Sequence, residues 1–238
     1  ILASGFAHIA NKTGTGLLTI GGTASTVSGS VRASQGTLSV GNMGAIGTGQ
    51  LFLGNVATSA GTFTYTGAGE ASSHGIVINT STLNAYINAS GSGALQLNGA
   101  ITFNATAGNK TLFLGGTSTA ANEITSPIGD SGVSNFTNVQ KIGSGTWVLS
   151  GINTFNTFTT GAGGLAIAGG TMRIRDTYLF AASRNVLLDN VAITFNVDSF
   201  TQAAGGTFEY AGDGANPSAE SVGALMPSAG AGTVLLTP

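Results

Sequence analysis

The segments Gly61-Thr-Phe-Thr-Tyr-Thr-Gly67 and Gly206-Thr-Phe-Glu-Tyr-Ala-Gly212 decide the fold class of this chain. In both, apolar and polar residues alternate between two flanking glycines. Alternation with a period of two is typical of a β-strand with one buried face, and the flanking glycines are typical of turns. We therefore interpret each segment as one short strand bounded by turns.

The same pattern recurs along the whole chain. Short segments rich in Thr, Val, Ile, Leu and aromatic residues, mostly bounded by Gly, Asn or Ser, are predicted to be strands. They are 17–20, 37–40, 50–53, 62–66, 75–79, 94–97, 101–103, 111–114, 146–149, 165–167, 172–174, 186–188, 191–195, 207–210 and 233–236. Only Asp176–Arg184 combines an Asp N-cap with helix-forming residues, which predicts a single helical turn.

Numerous short strands suit a sandwich, a barrel or a solenoid, and two further observations favour the solenoid. Outward positions are mostly small and neutral, as stacked ladders of like residues require. The chain also resembles itself over roughly 129 to 145 residues, as the opening pair illustrates. The other pairs are Gly14–Ile20 with Gly143–Leu149, Gly36–Val40 with Gly170–Ile174, and Gly91–Leu97 with Gly230–Leu236. We predict an all-β parallel β-helix forming one continuous segment, 1–238, with internal copies at about 14–100 and 143–238.

Composition narrows the class of protein. Of the 238 residues, 39 are Gly and 7% are charged, where about 25% is typical. Mean hydropathy is +0.31 and the formal net charge is −2. These values exclude a charged disordered tail, and the scarcity of Lys, Glu and Arg argues against a helical bundle. The chain has no basic patch and no apolar run of about 20 residues, so neither a nucleic-acid partner nor a membrane-spanning helix is expected.

The absence of Cys excludes a disulfide framework and a thiolate metal site. It is compatible with export, because a disulfide formed too early would block threading through a secretion pore. Ile1–Ala10 lacks the basic region of a signal peptide, and Gly232–Pro238 stops within a predicted strand. These features predict an internal segment of a longer protein or a processed product.

The segment Lys141-Ile-Gly-Ser-Gly-Thr-Trp-Val-Leu-Ser-Gly-Ile-Asn-Thr-Phe155, continuing to Ile174, resembles the autotransporter-associated β-strand repeat. That family's pattern is roughly K-x-G-x-G-x-x-x-L-x-G-x-N-x-[YF], a Gly-rich turn, and G-x-[LM]-x-[IV]. The matching residues are Lys141, Gly143, Gly145, Leu149, Gly151, Asn153, Phe155, Gly164, Gly170, Met172 and Ile174. Gly14–Val40 matches less well, since Thr23-Ala-Ser-Thr26 replaces the Asn-Thr-Phe element. The resemblance implies a right-handed parallel β-helix, secretion across an outer membrane, and a stalk or passenger role without catalytic residues.

Two groups of residues have a possible chemical role. Gly129-Asp130-Ser131-Gly132 is similar to the nucleophile loop of serine proteases, but the only candidate bases are His8 and His74. We interpret this loop as an ordinary turn, since neither histidine has a recognisable context. The Thr-x-Thr runs could form ladders that bind ice or a crystalline polymer, but we interpret them as the β-forming residues of half-buried strands. The six Asn-x-Ser/Thr triplets are attributed to composition; they begin at Asn11, Asn79, Asn88, Asn104, Asn109 and Asn135.

Charged residues crowd into the stretch from Arg173 to Glu220. Arg173 and Arg175 share one face of a strand and could hold an acidic sugar, while Asp189 and Asp198 are candidate acids of a polysaccharide-active β-helix. The alternative is a solvated rim of ion pairs, which we favour.

The sequence thus predicts an extracellular structural or adhesive β-solenoid segment of a large bacterial surface protein, which could self-assemble into fibres. No catalytic, cofactor-binding or metal-binding residue is assigned, and the expected partners are further copies, neighbouring repeats or a surface polysaccharide. The alternative is a polysaccharide-binding or polysaccharide-degrading β-helix. By alternation, the inward residues of the second copy are Trp147, Leu149, Phe155, Leu165, Ile167, Met172 and Ile174.

Overall fold

The computed structural model of this chain describes residues 10–26, 28–55, 60–80, 84–104, 108–132, 135–155, 164–176, 186–187, 191–195, 205–212, 219–228 and 231–237. Within these ranges lie 21 β-strands and a single 3-10 turn, Met43–Ile46. The strands are β1 (Ala10–Lys12), β2 (Leu17–Ile20), β3 (Val31–Ala33), β4 (Gly36–Val40), β5 (Leu51–Leu53), β6 (Gly61–Tyr65), β7 (Glu70–Ser72), β8 (Ile76–Ile78), β9 (Ala85–Ala89), β10 (Leu95–Leu97), β11 (Ile101–Phe103), β12 (Lys110–Gly115), β13 (Asn122–Ile124), β14 (Thr137–Lys141), β15 (Thr146–Leu149), β16 (Leu165–Ile167), β17 (Thr171–Arg175), β18 (Ile193–Phe195), β19 (Thr207–Ala211), β20 (Leu225–Pro227) and β21 (Thr233–Thr237).

The strands form three parallel sheets that the chain visits in turn. Sheet 1 has the order β1-β3-β5-β8-β11, sheet 2 has β2-β4-β6-β9-β12-β14-β16-β18-β20, and sheet 3 has β7-β10-β13-β15-β17-β19-β21. Neighbours within a sheet come from successive coils of the chain, so the coils stack on one another. The fold is therefore a parallel β-solenoid, as the sequence predicts.

The spatial repeat is one coil. Gly36 pairs with Gly61, 25 residues further along, and strands that begin Gly-Thr stack in register. Three of the four long-interval sequence pairs have their first member on sheet 2 and their second on sheet 3. The long-interval similarity therefore belongs to single strands that serve two different sheets, while stacking follows the shorter period.

The predicted core is confirmed. Trp147, Leu149, Phe155, Leu165, Ile167, Met172 and Ile174 are all buried. They belong to one continuous apolar cluster that runs along the solenoid from Val31 to Phe208. The period-two register inferred from the sequence is therefore correct for this part of the chain.

Some elements differ from the prediction. Seven strands were missed, because they carry polar, charged or proline residues: β1, β3, β7, β9, β13, β14 and β20. Val186 and Leu187 are buried but form no strand. The turn at Met43–Ile46 was also missed; it begins at Asn42, whose side-chain oxygen accepts a hydrogen bond from the Gly44 N–H. The predicted helical turn lies outside the described residues beyond Asp176.

Candidate functional site

A lysine ammonium binds the backbone at one corner of the solenoid. Lys141 ends β14 and is fully buried in a column of inward residues, with Leu114 on one side and Ile167 on the other. Its Nζ donates hydrogen bonds to the carbonyl oxygens of Ile142 at 2.6 Å, Gly143 at 2.9 Å and Gly169 at 3.1 Å. The ammonium therefore satisfies carbonyls of the corner that two successive coils share.

The same arrangement of a lysine and backbone carbonyls occurs at the end of β1. Lys12 ends β1, and its Nζ donates to the carbonyl oxygens of Thr13 at 3.0 Å, Gly14 at 2.6 Å and Gln35 at 3.1 Å. Both lysines begin a Lys-x-Gly-x-Gly sequence, and the first glycine has a positive φ of 78° at Gly14 and 66° at Gly143. A glycine tolerates that conformation without strain, so the chain can fold its carbonyls around the ammonium.

Asparagine side chains satisfy the backbone at other corners. Asn153 Oδ1 accepts from the Ile128 N–H at 3.0 Å, and its Nδ2 donates to the carbonyls of Gly151 and Val186. Asn122 has the same role, since Oδ1 accepts from the Leu95 N–H and Nδ2 donates to the Thr146 carbonyl. Buried polar side chains of this kind hold adjacent coils in register.

A ladder of charged side chains crosses the outer face of sheet 3. Arg173 and Glu209 are paired neighbours, with Nε and Oε2 2.9 Å apart. Arg175 Nη1 lies 3.2 Å from Oε2 of Glu123, two coils earlier, and Gln96 Nε2 donates to the same oxygen. The two arginines that the sequence places on one face do lie on one face, and both bind carboxylates of the chain itself.

The two ladder carboxylates are far apart. Glu123 pairs with Val148, Val148 with Arg173, and Arg173 with Glu209, so three strand spacings separate the acids. The backbone positions of Glu123 and Glu209 are therefore about 14 Å apart, at about 4.8 Å per spacing. Hydrolases of glycosidic bonds place their two carboxyl groups about 5 to 9.5 Å apart. Glu123 and Glu209 are each bound to a different arginine, which does not resemble such a pair.

Other described carboxylates accept hydrogen bonds from the backbone. Glu70 accepts from the Met43 N–H, Asp130 from the Thr137 N–H, and Glu220 from the N–H groups of Val186 and Leu187. All four of these bonds are 2.8 to 2.9 Å long. Glu70 and Glu220 therefore link neighbouring coils, and Asp130 fixes the loop before β14 to the first residue of that strand.

The segment Gly129–Gly132 lies in the loop between β13 and β14. Ser131 Oγ donates to the carbonyls of Gly108 and Asn135, and Gly132 forms an isolated antiparallel bridge to Asn135. His74 lies elsewhere and hydrogen-bonds Ser72 Oγ through Nδ1 and the Gly47 carbonyl through Nε2. Because a carbonyl only accepts, Nε2 is the donor of the bond to Gly47. His8, Asp189 and Asp198 lie outside the described residues.

The outer faces of sheets 1 and 2 are less uniformly small and neutral than the sequence suggests. The Arg32 guanidinium lies 5.0 Å from the centre of the Phe52 ring on the next coil. On sheet 2, the rings of Tyr86 and Phe113 stack with centres 4.6 Å apart. Ile142 and Ala168 pack with this pair into a small cluster separate from the core. Cross-coil contacts thus stabilise the solenoid on its outside as well.

The buried phenol of Tyr65 gives a pH-dependent stability. Burial raises the pKa of Tyr65 above its usual value, and the neighbouring Glu70 carboxylate adds to this effect. The Tyr65 oxygen also accepts from the Gly69 N–H, which acts in the opposite direction on the pKa. A raised pKa in the folded state means that the unfolded chain loses its proton first. The stabilisation is therefore complete below about pH 10, the pKa of an unperturbed tyrosine, and is lost as the pH rises through the folded-state pKa.

We expect the free energy of unfolding to fall between pH 9 and pH 11 more steeply for the wild type than for Tyr65→Phe. Urea denaturation at each pH measures it, and phenolate absorbance follows the titration. Equal slopes for the two proteins would mean that Tyr65 titrates normally.

The described part of the chain contains no cluster of three or more His, Cys, Asp or Glu residues that could hold a metal ion. In the same residues, no helix has the length and apolar character needed to span a bilayer. Comparison of the chain with protein-family models, curated proteins and solved structures found no match. The likeness to the autotransporter-associated repeat therefore remains a prediction that rests on the motif residues.

Among those motif residues, the structure gives roles that the sequence alone did not. Lys141 and Asn153 are corner ligands of the backbone, whereas Leu149 and Phe155 fill the core as the alternation predicts. The signal that could have identified the lysine corner is the recurrence of Lys-x-Gly-x-Gly at Lys12 and Lys141.

Proposed function

We propose that this chain is an extracellular structural or adhesive β-solenoid segment of a large bacterial surface protein. Its role is to hold a long, regular surface, with further copies or neighbouring repeats as partners. The observation that carries the proposal is the use of the polar side chains. The corner lysines and the buried asparagines bind the backbone. Glu70 and Glu220 also bind the backbone, and Glu123 and Glu209 bind arginines of the same chain.

That arrangement suits a scaffold. A catalytic carboxylate needs a partner group at a set distance and access to substrate, whereas Glu123 and Glu209 are largely buried and held by arginines. Low charge and many small residues also suit a long stack of coils, since each coil must fit closely on the next. Loss of any one ligand at a corner would loosen the contact between adjacent coils.

Surface location is tested with an antibody raised against the purified chain. We expect it to label intact cells of the source organism, and protease added outside the cells to remove the signal. An antibody against a cytoplasmic protein is the control for cell integrity. Labelling that appears only after permeabilisation would refute the extracellular location.

The second candidate is a polysaccharide-binding or polysaccharide-degrading protein, which the row of Gln96, Glu123, Arg173 and Arg175 on one face favours. A planar polar face on successive coils could follow the repeat of a sugar chain. In that case Arg173→Ala would weaken binding to an acidic polysaccharide, and Arg32→Ala, on the outer face of sheet 1, would not.

We expect the scaffold to release no reducing ends from acidic or neutral polysaccharides, because the acids of its outer ladder lie three strands apart and each is bound to an arginine. A reducing-sugar assay over a panel of polymers measures this. Turnover that disappears in Glu209→Gln or Asp189→Asn, with the fold retained, would establish the enzyme instead.

A further inference from the structure

The corner between β10 and β11 contains the only Asn-Gly sequence among the 238 residues of the chain. Asn98, Gly99 and Ala100 connect Leu97 to Ile101. In an Asn-Gly sequence, the backbone nitrogen of the glycine can attack the side-chain carbonyl carbon of the asparagine, since glycine has no side chain to obstruct a five-membered ring. This corner therefore brings a nucleophile and an electrophile together in two adjacent residues.

The fold requires glycine at position 99. A Cβ atom there would collide with the carbonyl groups of Ser73 and His74 on the preceding coil. Any larger residue would displace the backbone of that coil. The close stacking of coils therefore selects, after Asn98, the residue that leaves the asparagine most reactive.

The backbone nitrogen of Gly99 is not held by a hydrogen bond. No described residue accepts from the Gly99 N–H, whereas the Asn98 N–H donates to the Ser72 carbonyl at 2.8 Å. Asn98 is also exposed to solvent. Attack by the Gly99 nitrogen therefore breaks no hydrogen bond of its N–H to the described residues, and water can reach the ring that forms.

Two side chains of the next coil contact the reacting groups. The Thr125 hydroxyl donates a hydrogen bond to Asn98 Oδ1 at 2.9 Å. A donor at that oxygen stabilises the negative charge that develops there during attack on the amide carbon. The Ser126 hydroxyl lies 2.9 Å from the Asn98 carbonyl oxygen and 2.8 Å from the Gly99 carbonyl oxygen. Because this contact holds the peptide that must turn toward the side chain, it acts against ring closure.

We propose that Asn98 is a site of spontaneous deamidation through a cyclic imide. The Gly99 nitrogen forms a bond to Asn98 Cγ, the Cγ–Nδ2 bond breaks, and Nδ2 leaves as ammonia with the proton that Gly99 loses. Water then adds to one of the two carbonyl carbons of the imide and opens the ring. Opening at Cγ gives aspartate. Opening at the main-chain carbonyl gives isoaspartate, which lengthens the backbone by one methylene group.

The modification changes both the charge and the length of the corner. Either product adds a negative charge to a chain whose formal net charge is −2. Isoaspartate also lengthens a three-residue connection that is tied to Ser72 on one coil and Ser126 on another. We therefore expect looser stacking at this corner in the modified chain. The inference goes beyond the proposed function and does not depend on either of its candidates.

The test is incubation of the folded chain in mildly alkaline buffer, followed by peptide mapping with fragmentation that distinguishes isoaspartate from aspartate. Asn104 is the matched internal control, because it is also exposed, lies at the other end of β11 and precedes an alanine. We expect at least about tenfold more conversion at Asn98 than at Asn104, since a side chain after the asparagine obstructs ring closure. Equal conversion at the two positions, or aspartate without isoaspartate at Asn98, would overturn the proposal.

Two variants test the contribution of the fold. Thr125→Val removes the donor to Asn98 Oδ1, and we expect it to slow the reaction about fivefold, the effect of one hydrogen bond of ordinary strength. Ser126→Ala releases the peptide, and we expect it to accelerate the reaction by a similar factor. Both variants are expected to keep the β-sheet circular dichroism spectrum of the wild type. Unchanged rates in both would refute the roles of these hydroxyls, and conversion only after unfolding in urea would refute imide formation in the folded corner.

Discussion

Replacement of Lys141 with Met is expected to lower the free energy of unfolding by about 3 kcal/mol. Hydrogen bonds from a charged donor contribute about 1.5 to 3 kcal/mol each, and the variant loses three of them. Part of this loss is offset, because the variant no longer has to bury a charged ammonium group. Met keeps the length and the apolar stem of the side chain, so little packing is lost. Urea denaturation with an unchanged m-value measures the effect.

The chain offers its own control. Lys12 binds three carbonyls in the same pattern, but two of its three bonds are exposed to solvent. Water can replace the ammonium there, so we expect Lys12→Met to cost less than about 1 kcal/mol. Equal losses of stability for the two variants would mean that burial of the ammonium and its carbonyl acceptors has no effect. A Lys141→Met variant more stable than the wild type would mean that the cost of desolvating the ammonium exceeds the gain from its hydrogen bonds.

Replacement of Trp147 with Ala is expected to cost about 3 to 5 kcal/mol, the range for truncation of a buried large aromatic residue. Trp147 is fully buried on β15, between Asn122 of one coil and Met172 of the next. Its indole Nε1 also donates a hydrogen bond to the Gly115 carbonyl at 2.8 Å. The variant therefore leaves both a cavity and an unpaired carbonyl, and thermal or urea unfolding measures the loss.

Trp147→Phe separates the two contributions. It keeps most of the ring volume and removes the indole N–H, so we expect it to cost less than Trp147→Ala and more than about 1 kcal/mol. A loss below about 1 kcal/mol for Trp147→Ala would place the side chain in solvent and contradict the register of β15.

The core of this fold could be predicted from the sequence because alternation is a local property. Leu165, Ile167, Met172 and Ile174 alternate with polar or small residues between turn signals, and their inward orientation follows from the period of two. β13 could not be found in this way. It consists of Asn122, Glu123 and Ile124, and only the neighbouring coils give those polar side chains partners.

The contacts of the candidate site were harder to predict than the core, because they form between residues of different coils. The sequence places Arg173 and Arg175 on one face, but the partners of these residues are 36 and 52 positions away and in opposite directions along the chain. No local pattern predicts which coil will bring Glu209 or Glu123 beside them. The corner role of Lys141 was hidden for the same reason, since one of its acceptors is Gly169, 28 residues on.

The three sheets do not all run the full length of the solenoid. Among the described residues, sheet 1 ends at β11 and sheet 3 begins at β7, so within that part of the chain only the coils from β5 to β13 are joined through three ladders, while the other coils are joined through two. In a stack where each coil touches only its neighbours, stability is a sum of such junctions. We therefore expect folding to begin with the coils from β5 to β13, which have the most stable junctions, and to spread outward in both directions. Under tension, we expect the coils joined through two ladders to unravel before the coils from β5 to β13.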